Sequence, residues 1–184
     1  MRNNMQMQKH EKALELDKIL KMLAQLTACS DAAQAALKLE PDPQNAERLL
    51  KETDDAYVLM ARFGSPSFGG LANVTSSLRR AQAGATLTMG ELLKVSVVLR
   101  TLRGISEWHQ KGEEVSTSLD DRFSLLMPNQ YLEDRINGAI LSEEEMADTA
   151  SPALASIRRK IRSASVRARE VLDRMVRSQS YQKY

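Results

Sequence analysis

Apolar residues recur three and four positions apart along most of the chain, the period of a helix with one buried face. Leu16, Ile19, Leu20, Leu23 and Leu26 form the first such face and predict a helix from about Glu11 to Ala28. Asp31 opens a short Ala-rich turn of helix reaching Leu39, and Pro41-Asp42-Pro43 then breaks the chain. Asp42 before Pro43 is an N-cap followed by proline at the first helical position, where the missing N–H costs nothing. The next helix is expected to bury Ala46, Leu49, Leu50, Ala56 and Met60, and to stop near Gly64.

Past the turn-rich segment Gly64–Gly70, Asn73 is expected to cap a helix over Val74, Leu78 and Ala81 that ends at Gly84. Thr88-Met89-Gly90-Glu91 is a capping box, in which the Thr side chain accepts from the backbone three residues on and the Glu reaches back. It opens a helix carrying Leu92, Val95, Leu99 and Leu102 as far as Trp108. Ser118 to Asp121 repeats the cap pattern for a short helix ended by Pro128. Leu132 to Ile136 predicts another, closed by Asn137-Gly138, and Ser142 with Glu143, Glu144 and Glu145 caps a further turn.

Ser151-Pro152 opens the last and longest helix. Leu154, Ile157, Ile161, Ala164, Ala168, Val171 and Met175 alternate by three and four, a heptad seam held for three heptads. A helix from Pro152 to Gln179 would be roughly 40 Å long. Its first half is expected to dock through Leu154, Ile157 and Ile161. Ala164 and Ala168 bury little, so the rest is expected to project. The chain reaches Tyr184 with no stop signal, which reads as a boundary within a longer element. No alternation marks a strand. The expected fold is all-α: a lead-in over 1–10, a helical bundle over 11–151, and a long basic helix over 152–184.

Composition refines this picture. Hydrophobic residues are 42% and aromatics only 4%, so Leu, Ile, Val, Ala and Met must build the core. Cys29 is the only cysteine, which excludes an internal disulfide and fits a reducing cytoplasm. No apolar run approaches the roughly 20 residues of a membrane span. The net charge of +2 hides an asymmetry. Residues 152–184 hold nine Lys/Arg and two Asp/Glu, and the remainder holds 17 basic and 22 acidic residues. A basic arm thus adjoins an acidic body, pointing to an anionic partner or to docking on acidic surface.

Chemical candidates are few. The Gly64–Gly70 loop lacks the Lys-Ser/Thr of a phosphate loop, because Leu71-Ala72 follows Gly70, and a helix rather than a strand precedes it. The alternative is a compact turn with Phe68 plugged into the core. His10 and His109 are the only histidines, and neither has metal-ligand spacing. Glu143 to Glu145 suits the positive end of a helix dipole as well as acid/base chemistry. No catalytic, cofactor or metal site is expected within the chain. On the last helix, Arg158, Arg162 and Arg169 line one flank of the seam, and Lys160, Arg167 and Arg174 the other. This is the e/g pattern of a helix pair, and also a set of candidate nucleic-acid or partner contacts together with Arg177.

These segments in this order resemble the MutS-II family of bacterial MutS paralogues. The blocks that carry the resemblance are Leu14 to Leu20, Phe68-Gly69-Gly70-Leu71, Leu78-Arg79-Arg80-Ala81, Leu87 to Leu93, Ala150 to Leu154 with Ile157-Arg158-Arg159 and Ile161-Arg162, and Ser180 to Tyr184. Leu16 stands where members often carry Phe, and Asn73 where Asp is usual. The resemblance implies an N-terminal core-and-lever fragment, with the last helix as the lever. It implies a dimeric parent acting as a cytoplasmic clamp driven by ATP and Mg, with a nuclease domain. DNA or the ribosome would be its partner, in suppressing recombination or rescuing stalled ribosomes. The residues alone also allow a free-standing helical adaptor that pairs with another helix through the seam.

Overall fold

The computed structural model describes residues 13–112 and 114–178. Eight α-helices run through them: α1 Leu16–Gln25, α2 Ser30–Ala36, α3 Pro43–Phe63, α4 Thr75–Gln82, α5 Met89–Gln110, α6 Asp120–Ser124, α7 Gln130–Ala139 and α8 Pro152–Arg177. A single 3-10 turn, Asp148–Ala150, precedes α8. Among the described residues, extended segments pair only at one antiparallel bridge, Ile140 with Met146. The fold is all-α, as the periodicity predicts. The 1–10 lead-in lies outside the described residues.

Local side-chain caps set half of the helix starts. Asp42 Oδ2 accepts from Asn45 N at 3.4 Å, with Pro43 as the first residue of α3. Thr88 Oγ1 accepts from Glu91 N at 3.2 Å, and Glu91 Oε2 accepts from Thr88 N at 2.9 Å, completing the box at α5. Asn129 caps α7 through Leu132 N, and Ser151 caps α8 through Leu154 N. Glu15 adopts a left-handed φ of 55°, and α1 runs on from Leu16 after it; the expected start at Glu11 lies outside the described residues. Asn73 accepts from Thr75 N and also donates to Asp31, binding the start of α4 to α2.

Three expected caps are used differently. Ser118 donates from both N and Oγ to Asp55 Oδ2, at 2.7 and 2.6 Å, so it ties the α6 approach to α3. Asp120 takes up the preceding turn by accepting from Thr117 N at 3.0 Å. Ser142 Oγ accepts from Glu144 N inside the tight hairpin between Ile140 and Met146, so no helix starts there. Asn137 does not end α7. Its Oδ1 accepts from Ser96 Oγ at 2.8 Å across to α5, and the helix runs on to Ala139.

The core is small. Val95, Ile136 and Ile140 form its centre between α5 and α7, packed by Val74, Met89, Leu92, Leu93, Leu99 and Ala139. Leu59 and Ile105 are buried farther along α3 and α5. The face of α3 differs from expectation. Leu49, Leu50 and Met60 are exposed, and the inward residues are Glu52 and Leu59. The reason is electrostatic: Glu52 pairs with Arg122 and Arg48, and Asp55 with Ser118, so two carboxylates mark the inner side. Between α5 and α7, buried Glu133 accepts from Arg100 Nε at 3.0 Å and Arg103 Nε at 3.1 Å. The Arg103 guanidinium, and then Arg100, hold the Glu133 carboxyl below its ordinary range.

Candidate interaction face of the terminal helix

Helix α8 is the element on which the sequence places its candidate contacts. It is 26 residues long and has no buried residue. Its base is held by ions. Arg158 Nη1 donates to Asp148 Oδ1 at 2.6 Å and to the Met146 carbonyl at 2.8 Å. Arg162 Nη1 donates to Asp148 Oδ2 at 3.1 Å. The bonds from Arg158 and then Arg162 lower the Asp148 carboxyl below its ordinary range. The 3-10 turn thus braces the first turns of α8 along one flank.

This corrects the expected docking seam. Leu154 is half-buried at the base, but Ile157 and Ile161 are 54% and 59% exposed. Ala164 and Ala168 are exposed as well. The short turn reaches the Arg158 flank and does not extend over the seam, so salt bridges do the work assigned to the branched aliphatics. Arg158 and Arg162 are therefore brace residues. Arg167, Arg169, Arg174 and Arg177 are exposed and pair with no carboxylate among the described residues. Asp148 was not singled out in the sequence; nothing local marks it, because its partners lie 10 and 14 positions on.

The other candidates resolve into packing. Gly64 and Gly70 take φ of 75° and 115°, which favour glycine. A Cβ at Gly70 would lie 2.8 Å from Thr101 Oγ1 and 3.0 Å from Val97 Cγ1, so the loop presses on α5. Phe68 is not plugged into the core. It is 44% exposed and lines an apolar cavity of about 370 Å³ between α3, α5 and α6. Trp108 Nε1 donates to the Gly64 carbonyl at 2.9 Å on the wall of that cavity. His109 stacks on Phe123 at 4.1 Å and meets Asp120 Oδ1 at 3.3 Å. His10 lies outside the described residues. Among the described residues, no three His, Cys, Asp or Glu side chains gather as a metal site. No helix there is long and apolar enough to cross a membrane.

Comparison with known proteins gives the context. No family model matches the chain. It is 42% identical over 179 residues to Endonuclease MutS2 of Acetivibrio thermocellus, covering 94% of this chain and 22% of that protein. It is 40% identical over 181 residues to Endonuclease MutS2 of Ruminiclostridium cellulolyticum, covering 96% and 23%. Identity to the Clostridium beijerinckii protein of the same name is 36% over 172 residues. The chain spans less than a quarter of the length of these relatives, and over nearly all of its own length it is a MutS2-family sequence.

Proposed function

We propose that this chain is the helical core and lever of a MutS-like clamp that binds nucleic acid and is driven by ATP. It performs no chemistry itself; ATP and Mg act elsewhere in the longer protein. That protein works in the cytoplasm as a homodimer, on branched DNA or on stalled ribosomes and their rRNA. One observation carries this reading: among the described residues, α8 is fastened at its first turns alone, through Asp148, and presents the rest of its length to solvent. A long rigid element hinged at one end transmits displacement, whereas a helix buried along its length does not.

The test is a break in the lever. Ala164→Pro removes a backbone donor and kinks a helix interior, at a cost of about 3 kcal/mol. In the longer protein, this change should leave ATP hydrolysis in place and abolish the dependence of nucleic-acid affinity on nucleotide. An unchanged nucleotide dependence would sink the lever reading. The adaptor reading has its own supporting observation, the exposed seam of α8.

A further inference from the structure

Among the described residues, nothing covers the apolar stripe along the distal part of α8, and the side chains beside it point to one kind of partner. Take Ile161, Ala168 and Met175 as a positions and Ile157, Ala164 and Val171 as d positions of a heptad. Lys160, Arg167 and Arg174 then fill every g position of three heptads. All three are exposed and form no ion pair among the described residues. The seam beside them is open: Ile161 is 59%, Val171 40% and Met175 46% exposed. Side chains at g pair across a helix–helix interface and choose the partner.

We infer that this seam receives a partner helix with bulky aliphatics at its core positions and Glu or Asp along the flank facing Lys160, Arg167 and Arg174. Two features select this occupant. The first is charge. An antiparallel second copy would set Lys160, Arg167 and Arg174 against the same cations. A parallel copy would set them against the residues five positions on, Ser165, Leu172 and Gln179, none of which is acidic. An acidic flank neutralises all three. The second is size. Ala164 and Ala168 are successive layers, and two copies of α8 would put alanine against alanine in both, burying little. Large residues on a different helix fill those layers, as packed cores alternate large with small. Arg158 and Arg162 are occupied by Asp148, so among the described residues the other flank offers the partner Arg169 alone as a free cation.

The inference is independent of the clamp reading and is tested on the 184-residue chain itself. The probe is a fluorescein-labelled helical peptide with Leu at a and d and Glu at e and g, read by anisotropy. A second peptide carries Lys in place of Glu. The Glu peptide should bind roughly tenfold or more tighter, a difference of about 1.4 kcal/mol, and the gap should shrink in high salt. In K160E/R167E/R174E the preference should reverse toward the Lys peptide, with helix content unchanged in circular dichroism. Ile161→Glu should abolish binding of both. Equal binding of the two peptides would overturn the inference. So would self-association of the chain through the seam, or displacement of the Glu peptide by a short DNA duplex that the triple variant no longer binds.

Discussion

Leu59 and Ile161 are both aliphatics on long helices, yet one is 2% and the other 59% exposed. Leu59→Ala should cost about 2–5 kcal/mol, as truncation at a filled core site does. Ile157→Ala and Ile161→Ala should each cost under about 1 kcal/mol, because neither opens a cavity. Denaturant midpoints on the three variants measure the contrast, and equal losses would mean the seam is covered. Glu133 supplies a polar counterpart. Glu133→Gln removes the negative charge and one of the two oxygens that accept from Arg100 and Arg103, and should cost roughly 1–3 kcal/mol, moderated because both arginines keep access to water. The branched residues of α8 looked like core in the sequence because periodicity reports which side of a helix is apolar, not whether anything lies against it. Glu52 and Glu133 were missed for the converse reason. A buried carboxylate is identified by partners 70 and 30 positions away.

At the scale of elements, the helix starts at Asp42, Thr88 and Ser151 were legible because a cap is a local device: side chain, backbone and sequence signal lie within four residues. Ser118 and Ser142 show the limit, since their hydroxyls go to a distant carboxylate and to a hairpin. The Thr88 box gives a pH prediction. The Thr88 backbone bond, then Ser77 and Arg80, lower the Glu91 carboxyl from 4.5 to about 2. A depressed folded-state value means this stabilisation is complete above pH 4.5 and is lost as pH falls toward 2. Glu52, Asp55, Asp120, Glu133 and Asp148 are lowered too and act with the same sign. Melting temperature should therefore fall steeply below about pH 4.5, and less steeply in Glu91→Gln. A flat profile in the parent chain would contradict the assignment. Thr88→Ala should cost about 0.5–2 kcal/mol through the lost cap.

At the scale of the whole molecule, the fold is open. Helices α1, α2, α4, α6 and α8 have no buried residue, and many large aliphatics face solvent. The all-α class was legible because each helix announces its own period. The absence of a shared centre was not, because it depends on how helices meet. The chain should show no hydrolysis of ATP or DNA in clean preparations; metal-dependent turnover abolished by one substitution within it would overturn that. The central claim is that α8 is a lever fastened only at its base. Hydrogen exchange on the intact chain tests it most directly, because protection follows local stability. Amides of α5 and α7 should exchange slowly, the Asp148-braced turns of α8 at an intermediate rate, and those beyond Arg162 fastest, as an unsupported helix frays from its end. Protection along all of α8 equal to that of α5 would contradict the account.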